Sequence, residues 1–367
     1  MKSNYKKLGQ YIRQVYVRNT EGTEENLLGV SVQKMFIPSI ANTVGTDFTK
    51  YKVVKRSQFT YIPDTSRRGD KIGIALLTDY DEGLVSNVYT VFEVIDEHEL
   101  IPEYLMLWFT RSEFDRYARF KSHGSVREVM DWDEMCKVEL PVPSYEEQKR
   151  IVDSYKTITE RITLKQKIND NLEATSLAIY KKMFVENVDV ANLPKDWEHI
   201  PLGDVSTLSA GGDRPNVCQD FCTEDCKVPI YSNGTDNEGL YGYTNSAKIF
   251  DESVTVSARG TVGFVCLREI PYVPIVRLIS ITPKSSRISA KYLYFALSIG
   301  KTHSTGTSQQ QITVPDFKKK LILVPTEEVM NLFLQRVQPL FTAISQNKQE
   351  VKELITLQSN LLATLSH

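Results

Sequence analysis

Cys218, Cys222 and Cys226 stand at C-x3-C-x3-C spacing, and clustered thiols are the first place to look for a metal. Zinc ribbons pair two-residue gaps and need four donors, whereas these gaps are three residues and no fourth Cys or His lies nearby. Reduced thiols in a loop are the expectation, with metal binding as the alternative. The five histidines are scattered and none has H-E-x-x-H spacing. Glu350-Val351-Lys352 mimics the acid-x-lysine half of a nuclease site, but it falls on a helical stripe with no strand around it, so a structural helix face explains it better. Gly260-Thr261-Val262-Gly263 lacks the following Lys-Ser/Thr of a phosphate-binding loop and reads as a tight strand connection. Neither an adenosylmethionine loop nor a run such as Asn-Pro-Pro-Tyr occurs. No catalytic residue, no metal and no cofactor of its own are expected in this chain.

What composition leaves open is recognition. At 367 residues the chain is too long for one ordinary core, so two globular units with connecting structure are the natural expectation. With 41% hydrophobic and 25% charged residues it reads as neither disordered nor membrane-embedded, and no apolar run approaches the roughly 18 residues of a span. Polar residues follow Met1 (Lys2, Ser3, Asn4), so no secretory signal is expected, and the odd count of five cysteines fits reduced thiols in the cytoplasm. A net charge of -2 argues against a generic coat for polyanions, whose affinity comes from many basic residues; any basic surface must be local or supplied by partners.

The elements that must position such a surface are given by an internal repeat. His123-Gly124-Ser125 through Leu140-Pro141-Val142-Pro143 aligns without a gap on Thr305-Gly306-Thr307 through Ile322-Leu323-Val324-Pro325, at a constant offset of 182 residues. Each copy runs into a helix capped by Ser144 or Thr326, with Glu146-Glu147 or Glu327-Glu328 in the first turn, where acidic residues suit the helix dipole. Glu147 is placed to complete a capping box with Ser144, and Val329 is not so placed for Thr326. In 4-3 spacing the first helix presents Ile151, Tyr155, Ile158, Ile162, Lys165, Asn169, Leu172, Ser176, Ile179 and Met183. The same offset gives Phe333, Val337, Leu340, Ile344, Asn347, Val351, Leu354, Gln358, Leu361 and Leu365. A stripe sustained over about forty residues, a rod of about 60 Å, outruns the face of one domain and is expected to pair with the other copy as an antiparallel coiled coil. The helix-pairing residues are Ile151, Ile158, Ile162, Leu172 and Ile179 with Phe333, Leu340, Ile344, Val351, Leu354 and Leu361. Polar residues share seam positions in the two copies, Lys165 with Asn347 and Ser176 with Gln358, and Pro339 is expected to kink the second helix near its start.

Upstream, Lys7-Leu8-Gly9 resembles Pro201-Leu202-Gly203 and Glu103-Tyr104-Leu105 resembles Lys291-Tyr292-Leu293. Residues 58–62, 88–92, 253–257 and 276–280 are rich in β-branched and aromatic residues and read as strands. Short helices are expected over 102–109 and 290–298. The fold class is α+β: two globular domains separated by two long helices, related by a pseudo-two-fold repeat. The boundaries read 1–143 for the first domain, 144–186 for the first helix, 187–325 for the second domain and 326–367 for the second helix.

This order closely resembles the specificity subunits of type I restriction-modification systems across essentially the whole chain. The echoes are Trp197-Glu198-His199-Ile200-Pro201-Leu202-Gly203-Asp204-Val205, Ser257-Ala258-Arg259-Gly260-Thr261-Val262-Gly263, the run from Leu140 to Gln148 and Pro339-Leu340. The first domain departs from the pattern: it lacks a Trp-Glu opening and carries Ser66-Arg67-Arg68-Gly69-Asp70-Lys71-Ile72-Gly73 where the second has Ser257 to Gly263. The resemblance implies a bipartite, asymmetric double-stranded DNA target, one half read by each domain, with the helical pair as a ruler between them. It also implies two modification subunits that dock on the helices and carry S-adenosylmethionine, with restriction subunits completing an ATP-dependent nuclease. A coiled-coil scaffold or adaptor without sequence-specific DNA binding is the alternative from another class; loops duplicated with divergent content disfavour it.

Reading bases needs side chains with paired donors and acceptors, held in register by phosphate contacts. On that ground the candidates in the first domain are Lys55, Arg56, Gln58, Tyr61, Arg67, Arg68, His123, Ser125 and Arg127. Those in the second are Tyr231, Ser232, Asn233, Ser257, Arg259, Thr305, Thr307, Ser308, Gln309 and Gln310. The glutamines stand out because glutamine pairs with adenine in bidentate fashion. Substituting Gln309→Ala or Gln310→Ala is expected to alter recognition of one half of the target only, read by mapping the methylated motif; loss of both halves together would point to failed folding or assembly.

Overall fold

The computed structural model describes residues 5–39, 45–65, 71–122, 128–186, 188–189, 191–299 and 312–365. The chain forms two compact units, one made of residues 1–166 with 348–367, the other of residues 167–347.

The first unit is built on a four-stranded antiparallel sheet in the order Ile12–Val15, Thr90–Val94, Phe59–Tyr61, Ile74–Leu76. Phe59, Thr60 and Tyr61 are all buried, so this strand is covered on both faces, as its lack of polar alternation requires. Phe59 stacks on Phe92 at 4.8 Å between ring centres, and the helix Pro102–Thr110 brings Phe109 edge-on to both. That helix starts with proline at its first position, where the missing N–H costs nothing.

The second unit repeats this topology: Ser206–Ala210, Ile279–Pro283, Ser253–Val256, Val265–Arg268, with the helix Ala290–Ile299 packed against it. In each unit a two-stranded pair closes the domain just before the long helix: Tyr5–Lys7 with Glu139–Pro141, and Glu198–Pro201 with Leu321–Val324. Three ties recur at equivalent places. Leu8 N donates to Val138 O at 2.8 Å, as Leu202 N does to Lys320 O at 2.9 Å. Tyr104 donates its hydroxyl to Pro141 O at 3.1 Å, as Tyr292 does to Leu323 O. A Cβ on Gly9 would lie 2.8 Å from Cys136 Cβ, and one on Gly203 would lie 3.0 Å from Lys318 Cβ, so the repeated Leu-Gly exists to let a short helix lie on it. Burial pushes both tyrosine hydroxyls well above their ordinary pKa, so they remain donors.

The long helices run over Tyr145–Lys181 and Glu327–Thr364. Ser144 and Thr326 accept from the amides of Glu147 and Val329, both at 3.4 Å, as N-caps. The reciprocal half of the expected capping box is taken up elsewhere: the Glu147 carboxylate accepts from Arg150 at 2.6 and 3.0 Å, a charge-assisted pair stronger than a backbone bond. Pro339 sits exposed within a helix that continues past it.

Within each unit the two helix segments run antiparallel. In the first, Lys165 pairs with Glu350 at 2.8 Å, Gln358 Nε2 donates to Thr159 Oγ1 at 2.8 Å, and Leu362 and Leu365 reach the core beside Ile151 and Tyr155. In the second, Asn347 Nδ2 donates to Asn169 Oδ1 at 2.9 Å, and Tyr180 and Phe184 pack edge-on to Phe333. Ile151, Ile158, Ile162, Leu172, Ile179, Phe333, Leu340, Ile344, Val351, Leu354 and Leu361 are all buried or half-buried. Glu350 therefore serves the seam: hydrogen bonds from Lys165 and Arg161 hold its carboxyl below the ordinary range.

The buried asparagine pair gives a direct test. Asn347→Leu removes a donor from Asn169 Oδ1 and is expected to cost about 1–3 kcal/mol in chemical denaturation. The double variant Asn169→Leu/Asn347→Leu is expected to recover most of that; a double loss equal to the sum of the singles would contradict the pairing.

Candidate nucleic-acid interface

In the second unit, residues 257–264 join two adjacent strands through a turn closed by Gly263 N donating to Ser257 O at 2.7 Å. Gly260 and Gly263 have φ of +66° and +80°, which explains glycine at both positions. The turn buries Ser257 and leaves Arg259 exposed. Asn233, just past the strand Val228–Tyr231, organises the surroundings: its Oδ1 accepts from Ala258 N at 2.9 Å and its Nδ2 donates to Val276 O at 2.6 Å, while its own carbonyl accepts from Ser257 Oγ at 3.3 Å. Ser232 N is spent on Gly239 O at 2.8 Å.

Tyr231 does not project outward as a free reader. Its ring covers the guanidinium of the buried Arg268 at 3.6 Å, and Arg268 in turn donates to Thr255 Oγ1 at 3.0 Å and Glu238 O at 2.7 Å. Burial raises the Tyr231 pKa and the nearby Arg268 opposes that rise. Arg268 thus fixes the irregular turn at Asn237 and Glu238, both left-handed. Ile312 N donates to Ala258 O at 3.4 Å, so the described residues after 311 begin beside the same turn. Thr305, Thr307, Ser308, Gln309 and Gln310 lie outside the described residues. Basic charge gathers nearby: Arg259 and Arg277 are exposed, and Lys248 lies beside Gly212, whose carbonyl accepts from Val276 N at 2.9 Å.

In the first unit Met130 N donates to Pro63 O at 3.0 Å, the counterpart of the Ile312 to Ala258 bond, and Thr65 N donates to Glu128 O at 2.9 Å. Thr65 and Glu128, the described residues next to 66–70 and 123–127, are therefore held together; Arg67, Arg68, His123, Ser125 and Arg127 lie outside the described residues. In the same unit the nearly buried Lys34 and Asp115 pair at 2.5 Å and both bind Ile72, through its carbonyl at 2.7 Å and its amide at 3.1 Å. Burial lowers the Lys34 pKa and Asp115 opposes it.

Of the other first-unit candidates, Gln58 and Tyr61 are buried, against the sequence expectation, while Lys55 and Arg56 are exposed. Tyr61 has no exposed surface because its strand is central to the sheet. Gln58 is buried: Ser57, with φ of +64°, folds the chain back so that Gln58 accepts from Lys55 N at 2.8 Å and donates to Glu93 at 2.7 Å. Arg56 braces a neighbouring loop through Asp81 at 2.9 Å, and Lys55 is exposed. The sequence missed Arg268, Val276 and Arg277; the last two read as the start of a strand, and nothing local signals otherwise.

Among the described residues no group of three His, Cys, Asp or Glu is arranged to hold a metal ion, and Cys226 is buried while Cys222 is exposed. Among them, too, no helix is long and apolar enough to cross a membrane.

Residues 2–174 and 194–355 match the model of the type I restriction modification DNA specificity domain, and the chain belongs to that family. It is 26% identical over 230 residues to S.MpnORF507P of Mycoplasma pneumoniae, a match spanning 61% of each chain. The HindI specificity subunit of Haemophilus influenzae is 22% identical over 401 aligned positions, covering 86% of both chains. The S subunit of the type I restriction-modification system of M. genitalium shares the fold, with a TM-score of 0.61 at 15% identity over 99% of this chain and 96% of that one.

Asn233→Ala releases the Ala258 amide and the Val276 carbonyl together. It is expected to cost about 1–3 kcal/mol and to speed amide exchange over 256–264 and 275–278. Unchanged exchange at Ala258 would show that Asn233 does not organise this surface.

Proposed function

We propose that this chain is the DNA-reading, non-catalytic subunit of a type I restriction-modification assembly, acting in the cytoplasm. Each unit reads one part of a two-part target, and the helices that the units share fix the gap between the parts. Modification subunits dock on those helices and bring S-adenosylmethionine, and restriction subunits join them. One observation carries the reading: the same backbone bond, Met130 to Pro63 and Ile312 to Ala258, anchors the described residues that follow the candidate recognition segments in both units. What those anchors carry differs, Val126-Arg127-Glu128 in one and Ser308-Gln309-Gln310 in the other. A common frame with divergent polar loops suits two readers of unlike sequence, since the loops can change without disturbing the core. An adaptor would have no need of that divergence.

Co-expression with the modification subunits is expected to methylate one asymmetric, two-part motif in host DNA, seen by long-read methylation mapping. Deleting this chain should abolish that motif. If no motif disappears, the proposal fails.

A further inference from the structure

The steepest conformational demand in the second unit falls on Val276 and Arg277. Both are left-handed, with φ of +52° and +61°, and Leu278 N donates back to Ile275 O at 3.0 Å, closing a two-residue turn. Turns of this kind are ordinarily filled by Asn-Gly or Gly-Gly, because a side chain strains the backbone there, a β-branched one most of all. Here the strain is held by the rest of the unit. Val276 N donates to Gly212 O and Arg277 N to Gly211 O, both at 2.9 Å, while Asn233 Nδ2 donates to Val276 O at 2.6 Å. Gly211 is required for this grip, since a Cβ there would lie 2.7 Å from Ile275 N.

A strained turn that buried its side chains would be explained by packing. This one does the reverse: Val276 is 53% exposed and Arg277 is exposed, its guanidinium making no hydrogen bond or ion pair with the described residues. The turn is held by Asn233, which also holds the turn carrying Arg259, and by Gly212, beside which the exposed Lys248 adds positive charge. A hydrogen-bonded backbone presenting a guanidinium that is unpaired among the described residues next to an exposed isopropyl group has the chemistry for a guanine edge and an adjoining thymine methyl.

We propose that the Val276-Arg277 turn is a base-reading element of the second unit, with Arg277 donating to guanine O6 and N7 and Val276 packing on a neighbouring thymine methyl. This rests on the DNA-reading function proposed above. The clamp fixes the backbone from which the guanidinium projects, so that the chain at this turn needs no ordering on binding.

The test uses the full chain with its modification subunits and a duplex carrying the mapped motif, compared with duplexes altered at one base pair each. Arg277→Ala is expected to reduce discrimination at one G·C position of a single half about ten- to a hundredfold, with the other half unaffected. Val276→Asn/Arg277→Gly should lose the same discrimination while its thermal midpoint rises, because Asn-Gly fits the turn without strain. Full discrimination in Arg277→Ala overturns the assignment, as does uniform weakening at every position, the mark of a phosphate contact. Absence of any sequence preference in the unsubstituted complex would overturn the DNA-reading function itself, and this assignment with it.

Discussion

Each long helix ends inside a core that it did not begin in. Tyr180 closes a helix whose first half belongs to the first unit and Phe184 follows just after it, yet both lie in the second unit's core with Tyr292 and Phe333. Leu362 and Leu365 do the converse, packing beside Ile151, Val152 and Tyr155. Burying such side chains is worth about 1.5–3 kcal/mol each, so neither core closes on its own contiguous stretch of chain. The polar seam contacts supply register: Asn169 with Asn347 in one unit, Lys165 and Thr159 with Glu350 and Gln358 in the other. The apolar stripe supplies the stability, and the polar positions select one alignment along it.

From this constraint follows a division of labour inside each unit. The parts nearest the helices are near-copies: the glycine under the short helix, the buried tyrosine tied to the closing strand, and the backbone bond at Leu8 or Leu202. The far parts diverge. A buried ion pair, Lys34 with Asp115, holds Ile72 in the first unit, whereas Asn233 and the stacking of Tyr231 on Arg268 order the turns at 257–264 and 237–238 in the second. The frame is therefore conserved within the molecule, while each recognition surface has its own means of support.

The frame was legible in the sequence because its signals are periodic and long. A 4-3 stripe over forty residues at constant offset has one economical explanation, and the short helices over 102–109 and 290–298 and the strands at 58–62, 88–92 and 253–257 follow from local runs of apolar, β-branched and aromatic residues. The surface was legible only by residue type. Asn233 was a sound candidate, but its amide is occupied with Ala258 and Val276, and Gln58 and Tyr61 turn inward because of a left-handed Ser57 and a central strand. Val276 and Arg277 have strand-forming neighbours and no glycine or asparagine to announce a turn. What bends them is a set of bonds from Gly211, Gly212 and Asn233, forty residues and more away in sequence, to which local pattern is blind.

The proposed function makes the two units separable readers on one scaffold. Selection of bound duplexes from a random pool tests it, using the full chain with its modification subunits, first unsubstituted and then carrying Arg259→Ala. Two unlike sequence blocks at one fixed gap are predicted, with only one block degraded by the substitution and the gap unchanged. A single continuous block, or equal degradation of both blocks, would contradict the account.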